Sequence, residues 1–334
     1  MASPEVGGLV AVHAHPDDET LATGTLLATW ATSGAPVTVV TCTRGELGEV
    51  IGPELAHLEG DGPALAAHRE VELAAALGAL GVGEHLFLDR VEPVGAREPR
   101  PAPVRFSDSG MAWAGTGRAG RLDDLPPGAF VAVALDDAAG RLARVLRTRR
   151  PQVVATYEPG GGYGHPDHVR AHEVTARAVE LAADPAWHPD AGPAHRVAAV
   201  LWAAQGENAL RAAYAALAPH QDAALTAPDP AGLLPSVAVP DATVDLVVDV
   251  LPVLDKVLGA LRAHATQVQA VTAEPALLPE PGAADGPTDL HRVVARYALS
   301  NDVLAPVLAA EGYRLAPGSS TAGLSLPAGV RRVA

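Results

Sequence analysis

Residues 9–19 read Leu-Val-Ala-Val-His-Ala-His-Pro-Asp-Asp-Glu, an apolar run that ends in imidazole and carboxylate side chains. The run at 9–14 predicts a buried strand, and the apolar spacing over 20–32 predicts a helix directly after it. Imidazole and carboxylate groups at such a junction are costly to bury unless they are paired or bind a metal ion. This segment therefore predicts a strand–helix junction that carries chemistry.

A second cluster of the same kind follows a later apolar run. Residues 153–157 read Val-Val-Ala-Thr-Tyr and predict another buried strand, and His165-Pro166-Asp167-His168 lies beyond it, where a helix is predicted over 167–183. In open α/β sheets, ligands bind beyond the carboxyl ends of the strands. We therefore expect the two clusters to meet at one edge of a sheet as the two halves of a metal site.

Strand-like and helix-like stretches alternate through the first half of the chain. Strands are predicted over 9–14, 37–43, 84–88, 153–157 and 197–202, and helices over 20–32, 64–80, 136–149 and 167–183. This alternation predicts an α/β fold, with a Rossmann-like, mostly parallel sheet and helices on both faces. The C-terminal portion is less regular, with a strand over 244–250, a helix over 251–264 and a late strand over 292–299.

We expect one domain over 1–334, with a core at about 8–205 and a C-terminal elaboration over 206–334. The Gly-, Pro- and Arg-rich stretch 91–128 has no clear period, which in a compact domain is typical of a functional or disordered loop. The acidic, Pro-rich stretch 273–287 is expected to be an exposed, mobile insertion.

Composition limits the partners. The 334 residues are 48% hydrophobic, enough for a sizeable core, and carry a formal net charge of −15. That charge argues against nucleic acid and anionic membranes as partners. A single cysteine, Cys42, gives neither a disulfide framework nor a thiolate zinc site, and no signal peptide or apolar span is recognisable. We therefore predict a cytoplasmic protein.

The two clusters contain the residue types that bind catalytic zinc ions. Such an ion is held by three protein side chains and keeps one coordination position open. His15 and Asp18 lie three residues apart across a helix start, so both side chains can reach one ion, and His168 is the expected third ligand. We predict one zinc ion per chain. Iron(II) suits the same donors, so the sequence does not decide between the two metals.

Three further residues are candidates for catalysis. Asp17, next to the metal but not on it, would be the general base for water. His165 would stabilise the oxyanion, and Tyr163 on the glycine-rich loop 159–164 could add a hydrogen bond. Taken alone, the spacing of His15 and Asp18 also suits a helix cap beside a histidine, and Tyr163 also suits an ordinary core or loop tyrosine. Two clusters at matching strand ends favour the metal site over the helix cap.

Two other sequence motifs give little evidence of function. Residues 115–120 match G-x-G-x-x-G, but neither a strand before them nor a helix after them is predicted, so a dinucleotide site has little support. No G-x-S-x-G elbow is present, which removes the support for a serine hydrolase.

The two clusters together resemble the signature of the LmbE/PIG-L superfamily of metal-dependent N-acetylglucosamine deacetylases. Further segments resemble the branch that deacetylates N-acetylglucosaminyl-inositol in mycothiol biosynthesis, at 40–46, 49–52, 108–111, 161–164 and 262–267. The resemblance covers most of residues 9–270. It implies an LmbE-like fold, the ligand and catalytic roles given above, and a small amino-sugar inositol substrate.

The same resemblance implies that Arg69, Asp108 and Glu49 contact sugar or inositol hydroxyls; a solvated helix charge and a loop cap are the structural alternatives for the first two. Mycothiol S-conjugate amidases are a competing branch, but they typically have Lys where this chain has Thr20 or Leu21. Another N-acetylglucosamine-type deacetylase also stays open, as does a sugar-binding protein with a structural metal. The oligomeric state is not predicted.

Overall fold

The computed structural model describes residues 6–95, 105–113, 119, 120, 122, 124–274 and 292–333. Its helices, other than short 3₁₀ turns, are α1 (Asp18–Thr32), α2 (Gly62–Leu80), α3 (Leu135–Arg149), α4 (Gly161–Gly164), α5 (Pro166–Ala183), α6 (Glu207–Leu217) and α7 (Leu254–Ala263). Its strands are β1 (Leu9–His13), β2 (Val37–Thr41), β3 (Glu84–Phe87), β4 (Ala112–Trp113), β5 (Ala119–Gly120), β6 (Val153–Thr156), β7 (Ala199–Gly206), β8 (Ala238–Val239), β9 (Leu246–Asp249), β10 (Gln269–Ala273), β11 (Val293–Ala298), β12 (Leu304–Leu308), β13 (Ala310–Leu315) and β14 (Val330–Arg332).

The main sheet has the order β14-β9-β13-β7-β6-β1-β2-β3, and β8 pairs with β7 beside this path. The five strands from β7 to β3 in that order run parallel. On the other side of β7, β13, β9 and β14 add antiparallel pairs. The predicted mostly parallel α/β sheet is therefore confirmed.

The core forms two layers because successive side chains of a strand point to opposite faces of the sheet. In β1, Leu9 and Ala11 pack into the layer that contains α1, α2 and α7. Val10 and Val12 pack into the other layer, against α3 and α5. Both faces of the central strands are covered by helices, which explains why these strands read as continuous apolar runs.

The C-terminal part contains more regular structure than the sequence pattern indicates. Helix α6 was not predicted, and β10, β11 and β12 form a separate three-stranded antiparallel sheet. Strand β13 contributes to the main sheet through backbone pairing with β7 and β9, which a weak side-chain pattern does not reveal. The motif at 115–120 and the stretch 273–287 lie largely outside the described residues, and the domain limits stay a prediction.

A stability prediction concerns His85 on β3. Its Nε2 lies 3.0 Å from Thr41 Oγ1, and burial lowers the pKa of His85 from 6.5 to about 4. The unfolded chain therefore binds a proton below pH 6.5 that the folded chain takes up only near pH 4, so acidification favours unfolding. We expect protonation of His85 in the unfolded chain to lower the free energy of unfolding by about 2 kcal/mol between pH 7 and pH 5.

Urea unfolding at both pH values should show a smaller loss for His85→Phe than for the unchanged protein. His57→Phe, at an exposed position, is the control and should retain the full loss. Equal losses in all three proteins would contradict the prediction.

Candidate metal centre and active site

The two polar clusters meet at one edge of the sheet, as predicted. Strands β1 and β6 are parallel neighbours, so their carboxyl ends lie side by side. The first cluster connects β1 to α1, and the second lies at the start of α5. Helix N-termini carry partial positive charge, and two of them face this edge.

The side chains of the three predicted metal ligands converge between the clusters. His15 Nδ1 lies 3.2 Å from an Asp18 carboxylate oxygen, and His168 Nε2 lies 3.2 Å from the other oxygen of that carboxylate. The two ring nitrogens are 3.3 Å apart. All three residues are at most 6% exposed, so solvent does not separate these atoms.

Outer contacts orient both imidazole rings. His168 Nδ1 lies 3.1 Å from the Gly161 carbonyl oxygen, which can only accept, so the proton is on Nδ1. His15 Nε2 lies 3.3 Å from Asp167 Oδ2, which likewise accepts. His15 Nδ1 and His168 Nε2 therefore face the Asp18 carboxylate. Although burial opposes it, the carboxylates of Asp108, Asp167 and Asp18 raise the pKa of His15 well above its ordinary value, so without a metal ion this ring carries a proton that pairs with Asp18. A bound cation would take the place of that proton.

Such an arrangement fits a metal cation. Zinc bonds of about 2.0–2.1 Å in a tetrahedron separate neighbouring ligand atoms by about 3.3 Å. Other donor triplets within 4.8 Å also include His15: one with His165 and His168, one with Asp108 and Asp167. Asp108 and Asp167 approach the Nε2 side of the His15 ring, away from Asp18, and Asp167 Oδ2 is within hydrogen-bond distance of that nitrogen at 3.3 Å. They therefore act as outer partners of the ring.

The predicted general base, Asp17, lies at the start of α1 beside these ligands. Its carboxylate is 3.3 Å from an Arg69 guanidinium nitrogen, and its side chain is 13% exposed, so a small molecule can reach it. Burial raises the pKa of Asp17 to about 6, against the opposing effect of Arg69. A carboxylate with that pKa can accept a proton near neutral pH and release it again.

His165 has the protonation needed for an oxyanion donor. Its Nδ1 accepts a hydrogen bond from the Asp167 backbone N–H at 3.1 Å, which leaves the proton of the neutral ring on Nε2. Burial lowers the pKa of His165 well below its ordinary value, and the nearby His15 and His168 add to this effect. The ring is therefore neutral and has an N–H to donate.

Tyr163 lies on the glycine-rich loop, with its ring centroid 5.1 Å from that of His168. Burial raises the pKa of its hydroxyl, which stays a donor. The loop is held by Glu158, whose Oε1 accepts hydrogen bonds from Gly162 N and Ser236 Oγ, both at 2.8 Å. Gly162 has a φ of 76°, which side-chain-bearing residues rarely adopt.

The three residues predicted to bind substrate differ in position. Asp108 is buried beside the centre, with Oδ1 3.7 Å from His15 Nε2. Arg69 is also buried, and its described contacts are to Asp17 and to the carbonyl groups of Pro16 and Gly45. Glu49 is exposed and lines a separate open cleft of about 450 Å³. Their substrate-binding roles stay predictions.

Two residues of the centre received no role from the sequence. Asp167 is fully buried and accepts hydrogen bonds from Ser109 N and Oγ, in addition to its contact with His15. Tyr157, the residue after β6, stacks on His168 at 4.3 Å and its hydroxyl accepts from Ala14 N at 2.9 Å. Asp167 lay inside the second motif, whereas no sequence signal distinguished Tyr157 from a core tyrosine.

We predict that Tyr157→Phe weakens metal binding by about 10- to 100-fold, because outer partners orient metal ligands. The substitution removes the hydroxyl that fixes Ala14, one residue before His15, but retains the ring on His168. Competition with a fluorescent zinc chelator measures the affinity. Tyr214→Phe on α6 is the control, and an equal affinity of both variants would be evidence against this role.

Comparison with known proteins now decides the family. Residues 10–179 match the model of the PIG-L family, described as GlcNAc-PI de-N-acetylase. The chain belongs to the PIG-L family. This membership confirms the predicted LmbE/PIG-L resemblance and the predicted class of enzyme, a metal-dependent N-deacetylase.

Individual relatives cover nearly the whole chain. A protein of Kineococcus radiotolerans is 47% identical over 308 residues, covering 92% of this chain and 76% of its own. One of Rhodococcus jostii is 43% identical over 313 residues, covering 93% of this chain and 92% of its own. Both are named 1D-myo-inositol 2-acetamido-2-deoxy-alpha-D-glucopyranoside deacetylase.

Among solved structures, GalB, the 4-carboxy-2-hydroxymuconate hydratase of Pseudomonas putida, has a TM-score of 0.52 at 17% identity, covering 96% of this chain and 100% of its own. At that identity the likeness shows a shared fold alone, since one fold hosts many chemistries. In the described part of the chain, none of the helices has the length and apolar character needed to cross a membrane.

Proposed function

We propose that this PIG-L family enzyme hydrolyses the acetamide of N-acetylglucosaminyl-inositol to glucosaminyl-inositol and acetate, a step of mycothiol biosynthesis. The convergence of the two imidazole rings of His15 and His168 on the Asp18 carboxylate, beside Asp17 and His165, carries the chemistry. The substrate follows from relatives at 39–47% identity, which are named for this reaction and agree with the prediction from the sequence.

Zinc is the proposed metal, held by His15, Asp18 and His168, one ion per chain. When bound, the ion polarises the acetamide carbonyl and makes a neighbouring water more acidic. Iron(II) is the alternative, because two imidazoles and a carboxylate suit both ions.

In the proposed mechanism Asp17 acts first as base and then as acid. Its carboxylate removes a proton from the attacking water, whose oxygen adds to the acetamide carbon. The C–N bond then breaks, and Asp17 delivers the same proton to the leaving amine nitrogen. Arg69, 3.3 Å from this carboxylate, favours its ionised form before the first step.

The negative charge that develops on the former carbonyl oxygen needs donors. His165 Nε2–H and the Tyr163 hydroxyl are proposed to supply them, because both groups stay protonated and neutral in their buried positions. Neutral donors that are fixed before the reaction stabilise a developing oxyanion without reorganisation.

The decisive experiment measures acetate release from N-acetylglucosaminyl-inositol by protein stripped of metal and reloaded with one ion at a time. We expect turnover with zinc or iron(II) and none with the stripped protein. Comparing rates on this substrate and on a bulky mycothiol conjugate tests the amidase alternative, which requires faster cleavage of the conjugate. Metal retention without acetate release would instead indicate a sugar-binding protein with a structural metal.

We also propose a cytoplasmic location and no nucleic-acid partner. The buried Cys42 is a free thiol, which suits a reducing compartment, and the net charge of −15 disfavours polyanions.

A further inference from the structure

The backbone of Asp17 has an unusual conformation. Its φ is 114° and its ψ is −36°, in a region that residues with a side chain rarely adopt. Such conformations persist only where surrounding contacts impose them, and they occur preferentially at functional sites. The contacts that hold this residue therefore determine where the carboxylate of the proposed base points.

The peptide group between Pro16 and Asp17 is hydrogen-bonded on both sides. Its carbonyl oxygen accepts from Arg69 Nη2, and its N–H donates to Glu19 Oε2 at 2.9 Å. A guanidinium and a carboxylate thus fix the plane of one peptide unit from opposite directions. Charged partners make such hydrogen bonds stronger than neutral ones.

Glu19 is itself held by a residue from the far end of the chain. Its second oxygen, Oε1, lies 2.7 Å from His264 Nε2, and both side chains are fully buried. His264 directly follows α7 and lies beyond residues 10–179, the part that matches the family model. A buried carboxylate needs such a partner to stay ionised and in place.

The segment around His264 is anchored to the helix that carries Arg69. Glu72 on α2 accepts hydrogen bonds from Thr266 N at 2.8 Å and Thr266 Oγ1 at 2.6 Å. Helix α2 therefore supports both sides of the Pro16–Asp17 peptide group, one directly through Arg69 and one through the His264 segment and Glu19.

We propose that His264 is a positioning residue that acts through Glu19 to hold Asp17 in the orientation needed for proton transfer. The inference rests on the proposed function, because it takes Asp17 as the base. None of the described hydrogen bonds or ion pairs joins His264 to His15, Asp18 or His168, so its loss should reach turnover through Asp17 rather than through the ligands.

The test compares His264→Gln with His264→Asn. A Gln amide nitrogen can occupy the place of Nε2 and donate to Glu19, whereas the shorter Asn amide reaches only the place of Nδ1. We expect His264→Gln to retain most of kcat and His264→Asn to lose about 100-fold, the scale of a misplaced catalytic group. KM, metal content and melting temperature should be nearly equal for the two variants.

A second measurement places both substitutions in an Asp17→Asn background. If His264 acts through Asp17, exchanging Gln for Asn at position 264 changes the residual rate no further. Equal kcat of the single variants, or a full additional loss in the Asp17→Asn background, would overturn the inference. Because the unchanged protein is assayed alongside, its failure to release acetate would count against the proposed function instead.

Discussion

Replacing Asp17 with Asn should reduce turnover by about 10³-fold or more, since general acid–base groups contribute about 10²–10⁴ and this residue serves in both directions. The amide keeps the size of the side chain and an oxygen toward Arg69, which lies 3.3 Å away. It cannot take up the proton of the attacking water. The protein should still contain its metal, because Asp17 is not one of the three proposed ligands.

Acetate release and metal content by mass spectrometry, measured on the same preparation, check this expectation. Asp190→Asn removes an exposed carboxylate and serves as the control, with normal values for both. Turnover within a few-fold of the unchanged protein would rule out Asp17 as the base. A parallel loss of metal would instead identify Asp17 as a ligand.

Replacing Asp18 with Asn should remove the metal and, with it, the activity. The substitution preserves the shape of the side chain. It also keeps an acceptor for the backbone N–H of His15, which in the unchanged protein donates to Asp18 Oδ2 at 2.9 Å. It removes the only negative charge among the three predicted ligand side chains, and two imidazoles with a neutral amide bind a divalent cation weakly. We expect affinity to fall by more than the roughly 10- to 100-fold typical of outer-partner changes.

Chelator competition measures this affinity, and acetate release is followed as zinc is added. Activity of the variant should return, if at all, only at high zinc concentration, whereas the stripped unchanged protein recovers at stoichiometric zinc. Asp18→Asn protein that binds zinc as tightly as the unchanged protein would exclude Asp18 from the ligand set. The contrast with Asp17→Asn separates the roles of two adjacent aspartates.

The sequence predicted the part of the fold that depends on local pattern. Apolar runs such as 153–157 read as buried strands because helices cover both faces of the parallel sheet. Strands β9 and β13 were harder to predict, the first only roughly bounded and the second not predicted at all. Their place in the sheet depends on antiparallel pairing with distant segments rather than on a local period.

For the site, the sequence by itself determined which residues meet. Both His/Asp motifs follow parallel strands, and parallel strands end at the same edge, so the meeting of His15, Asp18 and His168 was predictable from topology. Residue types also indicated a metal with N and O ligands.

Only the tertiary structure decided how these residues are held. The orientations of the His15 and His168 rings depend on Asp167 and on the Gly161 carbonyl oxygen, groups that become neighbours only after folding. The contact between Glu19 and His264 joins segments 245 residues apart and leaves no local pattern. Motifs reveal the groups that do chemistry because the choice of residue type is local, whereas their orientation comes from long-range hydrogen bonds that no spacing encodes.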